Sequence, residues 1–95
     1  MISCIIPSFN QQEYLPEAIE SALNQDYQYS YEVVIVDDGS TDDSYEIARK
    51  YVEGHPLKVS LISQVNKGLA SARNTGIMNS EGNWILPLDA DDKLL

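Results

Sequence analysis

A doubly wound α/β fold with a parallel sheet is what this sequence predicts, and three observations carry the expectation. Apolar, β-branched runs alternate with segments whose apolar residues recur at helical spacing, over 95 residues. The runs are near-continuous, as in strands covered on both faces. The connections are short, which implies right-handed crossovers within one sheet. The expected architecture is Rossmann-like, three layers α/β/α, with strand order 3-2-1-4 by analogy with doubly wound sheets.

Residues 2–6 form the first expected strand. Leu15, Ala18, Ile19, Ala22 and Leu23 then fall at i, i+3, i+4, i+7 and i+8, an amphipathic helix stripe. Pro16 suits its first turn, where no backbone donor is needed. Residues 31–36 form the second strand. Thr41 is expected to cap the next helix, with Asp42 and Asp43 favourable near its positive end. Ile47, Ala48, Tyr51 and Val52 supply its inward stripe, and Gly54-His55-Pro56 ends it. The third strand is expected over 57–63, the third helix over 68–78, a turn over 79–82 and the fourth strand over 83–88. Tyr27, Tyr29 and Tyr31, two apart, suggest the start of a strand and edge packing.

A hydrophobic content of 43% argues for one globular unit, 1–95, with a modest core. Net charge is −9, with fifteen acids against six bases, so no basic stripe exists to neutralise nucleic acid. Glu17, Glu20, Glu46, Glu53 and Glu81 read as a solubilising surface. The single Cys4 excludes an internal disulfide and a cysteine zinc cluster, and reads as a small buried strand residue. No apolar run approaches a membrane span and no signal-peptide pattern opens the chain. The expected location is cytoplasmic, or peripheral at the inner face of a membrane.

Ligands of open parallel sheets sit outside the carboxyl ends of the strands. That edge gathers residues 7–10, 37–40, 64–68 and 89–92. Asp89-Ala90-Asp91-Asp92 follows an apolar run, and three carboxylates in four residues suit a hard divalent cation. Asp37-Asp38 is a second acidic strand exit. Were such carboxylates ~4 Å apart, their repulsion would be roughly 4 kcal/mol at an effective dielectric of ~20. Mg²⁺ or Mn²⁺ with a diphosphate is the natural counter-charge. The first loop, Pro7-Ser8-Phe9-Asn10, lacks the glycines of a dinucleotide fingerprint, and no Walker loop exists. Several of these residues have plainer readings. Asp37 and Asp42 suit turn and helix caps, Phe9 core or rim, Arg73 a snorkelling base, and His55 an exposed loop.

Five blocks of the chain resemble the family 2 glycosyltransferases of GT-A fold. They are Ile5-Ile6-Pro7-Ser8-Phe9-Asn10, Tyr14-Leu15 with 19–25, residues 32–42, residues 66–76, and Leu88-Asp89-Ala90-Asp91-Asp92, in the family's order. The resemblance implies transfer of a sugar from a nucleotide-diphosphate sugar, first a UDP-sugar, to a hydroxyl of a glycan, lipid or protein acceptor, with inversion. It implies that Phe9 stacks on the base with Pro7 lining that pocket, and that Asp38 accepts a hydrogen bond from the base. Arg73 would lie near the nucleotide. Asp89-Ala90-Asp91 matches the metal-binding Asp-x-Asp, with Asp91 coordinating Mn²⁺ or Mg²⁺ and Asp89 at the ribose or beside the cation. The general base of such enzymes follows this motif in the acceptor-handling half, and is expected beyond Leu95. No catalytic base is therefore expected within 1–95, and the chain is expected to be a donor-binding half with little transfer of its own. Two alternatives stand beside this one. One is a non-catalytic domain that binds nucleotide or self-associates through an exposed sheet edge. The other is a phosphoryl-transfer protein with an Asp nucleophile.

Overall fold

Strand and helix alternate throughout the computed structural model, which describes residues 1–25 and 30–89. The elements are β1 (Ile2–Ser8), α1 (Leu15–Leu23), β2 (Tyr31–Asp37), α2 (Ser44–Gly54), β3 (Val59–Ser63), α3 (Leu69–Met78) and β4 (Trp84–Pro87). All pairings are parallel and the order is β3-β2-β1-β4, as expected.

Side-chain alternation divides the core between the two faces. Cys4 and Ile6 of β1 and Val33 and Ile35 of β2 pack against Leu15, Ala18, Ile19 and Ala22 of α1 and Ala48 of α2. Ile5, Val34 and Val36 turn the other way and meet Ala72 of α3. Three layers result. The α3 side is thin, and Gly76 lets the helix lie directly on the sheet. A Cβ there would come within 2.5 Å of Ile5 Cγ2 and 3.1 Å of Val36 Cγ2.

Several boundaries differ from the expectation, each for a local reason. β1 continues through Pro7 and Ser8, and β2 through Asp37, with Ser8 opposite Asp37. Pro7 is tolerated because it shares the parity of Ile5, whose carbonyl takes the Leu88 N–H. Its missing donor therefore faces beyond the last β4 pairing, Ile5 with Pro87. β3 starts only at Val59, because the N–H groups of Lys58 and Val59 both turn back to the His55 carbonyl. Leu57 is left 95% exposed. Thr41 does not cap α2. That helix starts at Ser44 with Asp43 at its cap position and no side-chain cap bond. The Thr41 N–H and hydroxyl instead donate to Asn10 Oδ1. Tyr27 and Tyr29 lie outside the described residues.

Cys4 is fully buried and its thiol is pushed up to about 12 by that burial, so it is inert packing. Glu46 and Glu53 flank Arg49 on the exposed face of α2. Glu20 does more than solubilise, since after burial it is the next influence that pushes the Tyr51 hydroxyl above its ordinary 10.0. No helix among the described residues is long and apolar enough to cross a membrane.

Candidate functional site

Asp37 and Asp38 are consecutive at the end of a strand, so they point to opposite faces. Asp38 goes to the α3 side and is 1% exposed. Its Oδ1 accepts from Gln64 Nε2 at 2.8 Å and from the Lys67 N–H at 2.9 Å. Its Oδ2 accepts from the Gly68 N–H at 2.9 Å. Burial pushes this carboxyl up, but the three donors outweigh burial and hold it below its ordinary 3.8. Asp38 is thus an ionised clamp on the loop between β3 and α3. Gln64 is oriented for the task by Thr75, whose hydroxyl donates to Gln64 Oε1 at 2.7 Å.

The clamp requires two backbones to approach closely. Gly39 has φ +75°, and a Cβ there would lie 2.9 Å from the Asn66 nitrogen. Only glycine satisfies both the left-handed conformation and that approach.

Asp37 faces α1 and α2 instead and is 3% exposed. Its Oδ2 accepts the Ser40 N–H at 3.2 Å, which makes it the turn residue that one sequence reading anticipated. Its Oδ1 and the neighbouring Ser8 Oγ are buried without a hydrogen-bond partner among the described residues. Asp42 likewise serves local structure. Its Oδ1 accepts the Ser44 N–H and its Oδ2 the Gln12 N–H. Those bonds hold its carboxyl low against the upward push of burial.

Asp89 follows β4 on the α3 side, opposite in parity to the buried Leu88, and pairs with Arg73 of α3 at 3.1 Å. Both side chains are over a third exposed, at 37% and 44%. β1 lies between β2 and β4, and each strand spacing is ~4.8 Å. The backbones carrying Asp38 and Asp89 are therefore separated by about 10 Å across the sheet. Each carboxylate has its own donor: backbone and amide N–H groups for Asp38, a guanidinium for Asp89. Phe9, at the exit of β1, is 36% exposed, and Pro7 beside it is buried. Ala90, Asp91 and Asp92 lie outside the described residues, and so does Leu95, beyond which the general base is expected. An open depression of about 340 Å³ is lined by Asn10, Gln11, Gln12, Glu13, Tyr14 and Asp42. It includes none of Phe9, Asp38, Arg73 and Asp89.

The sheet order, the acidic strand exits and the α3 arginine all agree with a match along almost the whole chain. The sequence profile described as "Glycosyl transferase family 2" matches residues 3–95. This chain belongs to that family. Chondroitin synthase of Escherichia coli is 45% identical over 94 residues, covering 99% of this chain and 13% of that protein. Glycosyltransferase GlyA of Streptococcus pneumoniae is 41% identical, covering 96% of this chain and 13% of that protein. The chain thus spans a minor part of these family members. Among solved structures, Staphylococcus aureus TarS 1–349 in complex with UDP-GlcNAc superposes with a TM-score of 0.84 at 33% identity. That match covers 95% of this chain and 26% of TarS 1–349. The mannosyltransferase PcManGT of Pyrobaculum calidifontis, in complex with GDP-Man and Mn²⁺, gives 0.85 at 32% identity, covering 95% and 27%.

Sequence reasoning places Asn10 and Gln64 in the edge loops but does not read the bonding roles of Asn10, Ser44, Gln64 and Thr75. Their bonds join segments far apart in the chain, and no period or spacing announces them. Asn10 alone carried a signal, because asparagine is one of the few residues that visits the left-handed region.

Proposed function

We propose that this chain holds the nucleotide diphosphate of a sugar donor, and that the protein carrying it transfers the sugar to an acceptor hydroxyl with inversion. One observation carries the reading. A carboxylate offers about four acceptor positions, and Asp38 uses two on Oδ1 and one on Oδ2. Among the described residues Oδ2 accepts one bond, and we read its second position as the acceptor for a ligand N–H such as uracil N3–H. Phe9 sits at the neighbouring strand exit and is 36% exposed, so its ring is open to stacking on the base, with the buried Pro7 two residues before it in β1. UDP is the first choice, supported by the UDP-GlcNAc complex of TarS.

Arg73 reaches the same face and presents a planar fork suited to diphosphate oxygens. Mn²⁺ or Mg²⁺ fits the hard carboxylate donors here, with Asp91 as ligand and Asp89 at the ribose or beside the ion. The Mn²⁺ in the PcManGT complex supports divalent-metal use. When bound, such an ion supplies Lewis-acid stabilisation of the departing diphosphate. Arg73, already held by Asp89, keeps a second positive charge at that position. Inversion also needs a general base for the acceptor proton, and no described residue is assigned that role. Residues 1–95 are read as the donor-binding region alone. The acceptor, a glycan, lipid or protein hydroxyl, is met elsewhere.

Isothermal calorimetry with UDP and GDP, with and without Mn²⁺, tests this reading. UDP binding that requires Mn²⁺ and is lost in Asp91→Ala is the expected result. Absence of binding to either nucleotide contradicts it.

A further inference from the structure

The loop after β1 and the loop after β2 are fastened to each other by a set of reciprocal bonds centred on Asn10. Its Oδ1 accepts the Thr41 N–H at 2.8 Å, the Asp42 N–H at 3.2 Å and the Thr41 hydroxyl at 3.4 Å. Its own N–H donates to Ser40 Oγ at 3.0 Å. The next residues repeat the pattern. The Gln11 N–H donates to Ser44 Oγ at 3.0 Å and the Gln12 N–H to Asp42 Oδ2 at 3.2 Å. In return the Asp43 N–H donates to Gln12 Oε1 at 2.9 Å. Asn10 has φ 49°, the one positive φ outside glycine among the described residues. Backbone strain of this kind persists where surrounding bonds over-determine it.

Folding alone does not account for the fastening. The main core cluster beneath is closed by Leu15, Ala18, Ile19 and Ala48, all fully buried, while Asn10, Gln12 and Thr41 are exposed at the rim. What the bonds do fix is the path of the chain immediately after Phe9 and immediately after Asp38-Gly39. The Asp38 N–H to Ser8 carbonyl bond, 2.8 Å, sets the strand spacing just below. The left-handed turn at Asn10 then sets the path of the main chain as it leaves Phe9. The two strand exits that carry Phe9 and Asp38 are thereby tied together before any ligand arrives, and such preorganisation raises affinity by removing ordering cost.

We infer that Asn10 is a positioning residue for the nucleotide base, acting through the Thr41 and Asp42 amides to fix Phe9 relative to Asp38. This rests on the base pocket proposed above. Asn10 touches no ligand in this scheme; its effect passes through Phe9.

A double-mutant cycle read by UDP calorimetry with Mn²⁺ tests it. Asn10→Ala is expected to weaken UDP binding about tenfold, the loss of a set of ordinary hydrogen bonds that orient the loop. Asn10→Asp, which keeps an acceptor and tolerates the left-handed region, should remain within about threefold of the parent. In a Phe9→Ala background, Asn10→Ala should add no further loss. If Asn10→Ala lowers the folded fraction by circular dichroism, Asn10→Gly, which keeps the backbone conformation, is read in its place. Unchanged affinity in that variant, failure of Asn10→Asp to retain binding, or simple addition of the two losses each overturns the inference while leaving the base pocket intact. A parent chain that binds no UDP overturns the pocket itself, and the inference with it.

Discussion

At the exits of β1 and β2 the carboxyl edge of the sheet is tied on both faces, whereas at the exit of β4 the described residues offer one half-exposed ion pair. On one side stand the Asp38 clamp, the Asn10 bonds and four consecutive fully or almost fully buried residues, Val33 to Val36. On the other, β4 pairs through four residues, Trp84 is 70% and Ile85 37% exposed, and the half-exposed Arg73–Asp89 pair braces the exit. On the function proposed above, the β1 and β2 exits would read the base and the β4 exit would hold the cation and diphosphate. A pocket that reads a base by stacking and one hydrogen bond needs its geometry in place beforehand. A site for a cation and a diphosphate draws order from the charges that arrive there.

The largest effect should separate the two regions by stability. Ile35→Ala removes a fully buried side chain from the central β2 and should cost about 3–4 kcal/mol in urea unfolding. Ile85→Ala on β4 should cost less than about 1 kcal/mol. Similar losses at both sites would erase the comparison. Gly39→Ala comes next, at about 2 kcal/mol, because it combines a left-handed φ with a Cβ driven toward Asn66. Gly54→Ala is its control, since a Cβ there meets nothing within 4 Å, and it should be neutral or stabilising by about 0.5 kcal/mol.

The clamp also has a pH signature. The Asp38 carboxyl is held lower in the folded chain than its ordinary 3.8, so its stabilisation is complete above that value. It is lost as pH falls through the lower folded-state value. Urea midpoints measured from pH 6 downward should therefore drop steeply below about pH 4, and Asp38→Asn should make that drop shallower. Asp42 contributes in the same direction, so the variant should not flatten the profile entirely. The smallest change in stability is expected for Arg73→Ala. Its ion pair is over a third exposed and should be worth less than about 1 kcal/mol. Its effect on UDP affinity should be several-fold greater than that loss implies. A large stability loss without an affinity change would make Arg73 a brace and nothing more.

Much of this was legible in the chain. Continuous runs such as Val33-Val34-Ile35-Val36 identify strands covered on both faces, and the stripe from Leu15 to Leu23 identifies α1, because burial dictates those patterns. Asp38 was legible as an acid at a strand exit, and Asp37 as a turn residue. The ends of elements were less so. Pro7 looked like a loop residue until the shortness of β4 freed its donor side. Thr41 looked like a cap, but α2 starts only at Ser44 and the Thr41 hydroxyl turns to Asn10. The Asn10 bonds and the Gln64–Thr75 relay are products of tertiary register, which one-dimensional periodicity does not carry.

Titration of UDP with Mn²⁺ into the parent chain, Asp38→Ala and Asp43→Ala gives the sharpest decision, with each fold checked by circular dichroism. Asp38→Ala should weaken binding by at least about tenfold, while Asp43→Ala, an exposed residue at the start of α2, should match the parent. Equal affinity in all three, or equal losses in the two variants, would contradict a base held at Asp38.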